Sequence, residues 1–98
     1  MGRVWTHGEW TVKPGREDDF VRHWNEMAGE ALAALDPGGP AYLLRDRERQ
    51  NVFFSFGPWA STEEVGRFRV LIAPRLKAMS ELLDGFQARV LDEVGERG

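Results

Sequence analysis

The sequence predicts an α+β fold in which two helices lie on one face of a four-stranded antiparallel sheet. Two long segments carry apolar residues at the helical spacing of three and four, which is typical of amphipathic helices. The remaining apolar segments are rich in β-branched and aromatic residues and are bounded by turn residues, which favours strands. The predicted order is strand, helix, strand, strand, helix, strand, the ferredoxin-like βαββαβ arrangement. With 98 residues, the chain is long enough for one domain, residues 1–98, and too short for a second core.

The first half of the chain contributes a strand and a helix. The strand covers residues 3–12, where valine, threonine and tryptophan predominate, and Lys13-Pro14-Gly15 ends it with a turn. A helix follows over residues 16–35, with acidic side chains in its first turn, and the loop Asp36–Pro40 ends it. The apolar stripe of this helix consists of Phe20, Trp24, Met27, Ala31 and Leu35.

The middle of the chain predicts a hairpin. Residues 41–50 form a strand that becomes strongly charged, as suits the edge of a sheet, and its turn lies near residues 49–51. The third strand covers residues 52–56, and Gly57-Pro58 closes it. Trp59 then falls in the connection between this strand and the second helix.

The second helix starts at a capping-box pattern formed by Ser61 and Glu64. Pro74 lies inside the helix and cannot donate the usual backbone hydrogen bond, so we expect a kink or a break just before it. Asp84-Gly85 ends the helix, and a last strand covers residues 86–94. The apolar stripe consists of Val65, Phe68, Ile72, Leu76, Met79 and Leu83.

Composition and charge exclude several classes of function. The chain has no cysteine, which removes disulfides, thiolate zinc sites, iron–sulfur clusters and cysteine nucleophiles. Two histidines and scattered carboxylates give no spacing typical of a metal site, so no metal is predicted. A net charge of −3 does not favour nucleic acid or an anionic membrane as a partner. No secretory leader is recognisable at the start, so we expect a cytoplasmic protein.

Apolar side chains emerge from both faces of the predicted sheet. Phe53 and Phe54 are neighbours on one strand and therefore point in opposite directions. The same holds for Leu43 and Leu44, and for Val90 and Leu91. Two helices cover only one face, so the other needs a partner, and a second copy of the chain is the simplest one. The sequence thus predicts a homodimer; the alternative is a monomer that tolerates a few surface aromatic residues.

Several segments, in this order and at this spacing, resemble antibiotic-biosynthesis-monooxygenase-like domains of the dimeric α+β barrel superfamily. The resemblance covers residues 3–94 and is more specific for the fold than for the activity. The segments are Val4–Val12 followed by Lys13–Phe20, Pro37-Gly38-Gly39 before Tyr42-Leu43-Leu44, and Phe53–Phe56 leading to Trp59–Glu64.

The resemblance implies a function and a binding site. The family includes oxygenases that oxidise polycyclic phenols such as anthrones without a cofactor, and its ligands lie in a cleft between the helices and the sheet. By resemblance, this cleft is lined here by Trp24, Trp59, Phe68, Ile72 and Arg75. Family members often carry histidines around the proline of the second helix. This chain has none in that helix, which argues against haem ligation there and against a histidine-based mechanism.

His23 and Arg75 are the candidate catalytic residues. His23 lies at the edge of the first helical stripe and could act as a general base toward a phenol. Arg75 follows Pro74 and could stabilise an enolate or phenolate oxygen. The alternatives are a boundary histidine with one ring face on the core, and a solvated or ion-paired arginine. Trp59 could stack on a flat ligand or could plug the end of the core, and Trp24 could be a core residue.

The sequence therefore predicts a homodimeric, cofactor-independent monooxygenase that acts with O₂ on an aromatic polyketide-type or phenolic small molecule. In this hypothesis the substrate is its own reductant, and the protein supplies a dry aromatic cleft and placed charges. Two alternatives stay open: a non-catalytic ligand-binding dimer on the same scaffold, and a haem-degrading relative.

Overall fold

The computed structural model describes residues 3–98 and contains the predicted elements in the predicted order. The strands are β1 (Val4–Val12), β2 (Tyr42–Arg45), β3 (Val52–Trp59) and β4 (Leu83–Asp92), and the helices are α1 (Glu17–Ala34) and α2 (Thr62–Met79). The sheet order is β2-β3-β1-β4, and every neighbouring pair is antiparallel. This topology confirms the ferredoxin-like α+β fold. Within residues 3–98, no helix is long and apolar enough to cross a membrane.

The third strand is longer than predicted. β3 continues through Gly57-Pro58 and ends at Trp59, so Trp59 is a strand residue and does not lie in the connection to α2. Pro58 is tolerated because β2 pairs only with residues 53–56 of β3. Beyond Phe56 that edge of β3 has no paired strand and carries an isolated bridge between Pro37 and Trp59, so the missing N–H of Pro58 breaks no ladder.

The second strand is shorter than the predicted residues 41–50. It ends at Arg45 because Asp46 organises the following residues into a turn. The Asp46 carboxylate accepts backbone hydrogen bonds from Glu48 (2.8 Å) and Arg49 (3.1 Å), and these bonds lower the pKa of Asp46. The charged segment is thus a solvated turn rather than an edge strand.

The second helix is not broken at Pro74 and runs from Thr62 to Met79. The carbonyl of Val70, which loses its hydrogen bond to Pro74, belongs to a residue that is 78% exposed, so water can take the place of the donor. The predicted end at Asp84-Gly85 is wrong. A short 3₁₀ turn, Ser80–Leu82, follows α2, and Asp84 and Gly85 lie in β4.

Only half of the predicted capping box forms at the start of α2. The Ser61 hydroxyl accepts a hydrogen bond from the backbone N–H of Glu64 at 3.3 Å. The Glu64 carboxylate does not accept a hydrogen bond from the backbone N–H of Ser61. It accepts one from the backbone N–H of Asp36, in the loop after α1.

The core lies between the helices and one face of the sheet. The ring of Phe20 on α1 packs against Trp10 of β1 and Phe53 of β3, with centroids 5.2 and 4.9 Å away. Val12 and Met79 are fully buried beside them. Large apolar groups of this kind stabilise a fold mainly through the area that they remove from water.

The opposite, helix-free face of the sheet keeps apolar groups at the surface. Tyr42 and Leu44 of β2 pair with Phe56 and Phe54 of β3, and both β2 side chains are about half exposed. Leu91 of β4 is also exposed on this face. The sequence prediction that both faces carry apolar side chains is confirmed, whereas the homodimer itself stays a prediction.

Candidate binding cavity between the helices and the sheet

A cavity of about 320 Å³ lies between the two helices and the sheet. Its lining is mostly apolar, and no aspartate or glutamate among residues 3–98 contributes to it. The aromatic lining residues are Trp10, Trp24, Trp59, Phe68 and Phe86. Small residues on the sheet side are Gly8, Ala41, Ser55, Gly57 and Ala88. Large flat side chains above a floor of small residues create a space suited to a flat apolar ligand.

Gly8 forms part of the floor because no larger residue fits there. The indole Nε1 of Trp10 donates a 3.0 Å hydrogen bond to the hydroxyl of Ser55, and this bond passes over Gly8. A Cβ on residue 8 would lie 2.6 Å from Trp10 Nε1 and 2.8 Å from Ser55 Oγ, which is closer than real atoms approach. The absence of a side chain at Gly8 therefore permits the bond that holds the Trp10 ring at the cavity.

Trp59 lines the cavity, and a hydrogen bond from its indole nitrogen fixes the ring. Its Nε1 donates a 3.0 Å hydrogen bond to Thr6 Oγ1, and that hydroxyl in turn donates to the carbonyl of Gly57 at 3.4 Å. The Trp59 ring packs on Phe68 of α2 with a centroid distance of 4.7 Å and is 3% exposed. The indole N–H is thus satisfied within the protein, and the ring presents only carbon to a ligand.

The loop between α1 and β2 lies beside the end of β3 and is fixed by hydrogen bonds. The N–H of Asp36 donates to Glu64 Oε2 at 2.7 Å, and the N–H of Gly38 donates to the carbonyl of Pro58 at 2.8 Å. Glu64 is 6% exposed and also pairs with Arg67. The hydrogen bond from Asp36 and the Arg67 guanidinium lower the pKa of the Glu64 carboxyl, so it is charged at neutral pH.

The structure brings together four of the six residues predicted for the site. Trp24, Trp59, Phe68 and Ile72 all line the cavity. These side chains come from α1, β3 and α2, so the two helical stripes and the end of the strand converge on one space. Their contact with a substrate stays a prediction.

The two predicted catalytic residues, His23 and Arg75, do not line this cavity. Arg75 points across the helix pair, where Nη1 lies 3.1 Å from Glu26 and Nη2 pairs with Glu30. These carboxylates raise the pKa of Arg75, and the contact joins α2 to α1. His23 is half-buried on α1, and its Nδ1 atom is buried without a hydrogen-bond partner in the part of the chain that the structure describes.

Arg69 and Gly8 are among the lining positions to which sequence reasoning gave no cavity role. A signal for Arg69 existed, because it lies four residues after Val65 and three before Ile72, at the edge of the apolar stripe. For Gly8 no local signal existed. The requirement for glycine at position 8 arises from Trp10 and Ser55, which meet only when β1 and β3 pair.

Among residues 3–98, no group of three or more histidines and carboxylates could hold a metal ion.

Comparison with known proteins shows similarity in structure but little in sequence. No protein-family model and no curated protein matches the chain. Among solved structures, SnoaB, a cofactor-independent oxygenase from Streptomyces nogalater, is 17% identical, with a TM-score of 0.86 over 96% of this chain and 95% of that one. A protein from Bordetella bronchiseptica, provisionally named an antibiotic biosynthesis monooxygenase, is 20% identical, with a TM-score of 0.80 over 96% of this chain and 99% of the other. A conserved protein from Methanosarcina mazei is 14% identical, with a TM-score of 0.83 over 93% and 92%. The chain therefore has the fold of antibiotic-biosynthesis-monooxygenase-like domains.

Proposed function

We propose that this protein is a cofactor-independent monooxygenase that acts on an aromatic polyketide-type or phenolic small molecule. The observation that carries the proposal is the apolar cavity of about 320 Å³ lined by Trp10, Trp24, Trp59 and Phe68. Such a space favours a planar, electron-rich ring system over a polar metabolite. The fold shared with SnoaB, a cofactor-independent oxygenase, supports the same reaction class by analogy.

The proposed reaction needs no reductant other than the substrate. An anthrone-type methylene group, once deprotonated, passes an electron to O₂, and recombination forms a carbon–oxygen bond. One oxygen atom stays on the carbon as a carbonyl, and the other leaves as water with the two hydrogens of the methylene. The protein contributes a dry cavity and stabilisation of the substrate anion, because charge interactions are stronger where water is excluded.

We propose further that the active species is a homodimer joined through the helix-free face of the sheet. Phe54, Phe56 and Trp5 lie on this face with the exposed side chains of Tyr42 and Leu44. A contiguous apolar surface of this kind is unusual on a monomer and is satisfied by a two-fold related copy.

The alternative is a non-catalytic binder of small aromatic molecules on the same scaffold. The observation that favours it is the lack of a proton acceptor in the cavity. No carboxylate of residues 3–98 lines it, and the His7 ring packs at 4.9 Å from Phe56 on the opposite face. In this alternative the cavity binds the same ligands but accelerates no reaction with oxygen. The haem-degrading alternative gains no support, because His23 does not line the cavity and the ring of His7, whose strand does line it, packs against Phe56 on the opposite face.

Oxygen uptake tests the proposal and separates the two functions. The purified protein is mixed with an anthrone in an oxygen electrode, and the quinone product is quantified against the oxygen consumed. The monooxygenase function predicts one quinone for each O₂ above the rate of spontaneous oxidation. A rate equal to that of buffer alone, with the anthrone nevertheless bound in calorimetry, would favour the non-catalytic binder.

A matched pair of variants connects the activity to the cavity. Ala88 lies on β4 at the cavity and is exposed, so Ala88→Leu narrows the space without disturbing the core. Ala33 of α1 is exposed and does not line the cavity, so Ala33→Leu is the control with the same substitution. The proposal predicts that Ala88→Leu lowers the uptake rate and Ala33→Leu does not. His23→Ala and Arg75→Ala belong in the same assay; a complete loss in either would return that residue to a catalytic role.

A further inference from the structure

The charged groups around the cavity are all of one sign. Its lining includes Arg69 of α2 and Arg89 of β4 and no acidic residue among residues 3–98. Arg89 is an odd number of residues from Phe86, whose ring lies 4.2 Å from Trp10 in the core. Alternation along β4 therefore directs the Arg89 side chain to the opposite face of the sheet. Arg69 is therefore the lining cation whose side chain is on the same element as the lining residues of α2.

Arg69 is one of the residues of α2 that line the cavity. On α2, residues three or four apart share one face, so Arg69 is adjacent to Val65 and Ile72, both of which are buried. Phe68, the preceding residue, contacts Trp59. Arg69 itself is exposed, so its long side chain can extend from solvent over the apolar opening.

Arg69 also differs from the other arginines of α2 in its partners. Arg67 pairs with Glu64, and Arg75 pairs with Glu26 and Glu30. In the described part of the chain, no carboxylate oxygen lies within ion-pair distance of Arg69. One positive charge without a partner therefore lies beside an apolar cavity that has no negative charge of its own.

We propose that Arg69 determines specificity by binding an oxyanion, a carboxylate or a phenolate, carried on the flat aromatic ligand whose rings occupy the cavity. This inference rests on the proposed function for the ligand class and concerns binding alone. The guanidinium presents paired N–H donors that match two oxygen atoms, and the apolar surroundings strengthen the contact. Arg69 takes the anion-binding role that sequence reasoning gave to Arg75, whose charge is already neutralised by two carboxylates.

The test measures the preference for charge by calorimetry. The probes are 2-naphthoate and its neutral amide, 2-naphthamide, which share one ring system and differ in the charge of one group. The protein is expected to bind 2-naphthoate roughly tenfold more tightly, the scale expected of one charge-assisted hydrogen-bonded contact. In Arg69→Met the two probes are expected to bind equally, and in Arg69→Lys a part of the preference is expected to return.

Arg47 provides the matched control. It is an exposed arginine in the turn between β2 and β3, so Arg47→Met removes the same charge far from the cavity and should keep the preference. Equal binding of the two probes by the unmodified protein, an unchanged preference in Arg69→Met, or no binding of 2-naphthoate at millimolar concentration would each overturn the proposal. Oxygen uptake is measured separately. A lost preference in Arg69→Met without any oxygen uptake would refute the monooxygenase function and leave the role of Arg69 intact.

Discussion

Glu64 accepts a 2.7 Å hydrogen bond from the backbone N–H of Asp36, which joins the start of α2 to the end of α1. The bond crosses 28 positions of sequence and fixes the loop that packs against the end of β3. Glu64 is buried, and its partners supply an N–H group and a guanidinium. A carboxylate that does not line the cavity therefore holds the loop that bridges to Trp59.

This carboxylate makes stability depend on pH in a definite direction. The folded protein lowers the pKa of Glu64 below its ordinary value of 4.5, so the unfolded chain takes up the proton first as the pH falls. The contribution of Glu64 is present above pH 4.5 and is lost as the pH falls through the folded pKa. We expect the melting temperature of Glu64→Gln to fall less steeply between pH 6 and pH 3 than that of the parent, as measured by circular dichroism. Glu63→Gln, at the exposed neighbour, is the control; equal slopes in all three proteins would contradict the prediction.

Gly8→Ala is expected to destabilise the protein and to disturb the cavity floor. The new methyl group would lie 2.6 Å from Trp10 Nε1 and must displace the bond between Trp10 and Ser55. Overpacking of this kind costs about 1–3 kcal/mol of unfolding free energy. Urea unfolding measures it, with Gly85→Ala as the control, because a Cβ there meets Thr11 only at an ordinary 3.6 Å. A Gly8→Ala protein as stable as Gly85→Ala would show that the floor adapts.

The hydrogen bond between Trp59 and Thr6 is expected to contribute to stability through the pair rather than through either residue alone. Trp59→Phe keeps a ring against Phe68 but removes the indole donor, and Thr6→Val removes the acceptor. A double-mutant cycle cancels the separate packing losses and should leave a coupling free energy of about 1 kcal/mol. Unfolding by urea gives the four stabilities needed. A coupling free energy near zero would mean that water replaces the bond at no cost.

Self-association is expected to depend on the helix-free face. The parent should sediment at twice the 11.2 kDa of one chain at micromolar concentration. Phe54→Glu places a charge in the proposed interface and should weaken the dimer by about 3 kcal/mol or more, since an unpaired charge is costly to bury. Val70→Glu is the control, because Val70 is 78% exposed on the outer side of α2. A parent that sediments as a single chain would refute the homodimer.

The order of elements and four of the residues that line the cavity could be predicted from sequence, and three of these four, on the helices, depend on local periodicity. The stripes through Trp24 on one helix and through Phe68 and Ile72 on the other direct these side chains to the sheet in any arrangement of this topology. The same reasoning failed for Arg75. Its carboxylate partners, Glu26 and Glu30, lie more than forty residues away, and only the packing of the helices brings them together.

The extent of β3 was mispredicted for a related reason. Gly57-Pro58 is a strong local stop signal, and its cost depends on whether a neighbouring strand needs the missing donor. β2 is too short to reach that far, so the strand continues and carries Trp59 to the cavity. β2 begins only at Tyr42, opposite Phe56, and the residue that would continue this register opposite Pro58 is Pro40, which also lacks an N–H donor.

The distribution of the indoles provides an intrinsic optical reporter. Three of the four tryptophans, Trp10, Trp24 and Trp59, line one cavity, while Trp5 lies on the other face with its Nε1 bonded to Glu93 at 2.7 Å. A ligand that enters the cavity is expected to change the emission of the first three, and Trp5→Phe removes the contribution of the fourth. Screening of compound collections can therefore proceed without a dye, in a Trp5→Phe protein whose emission comes from the cavity alone.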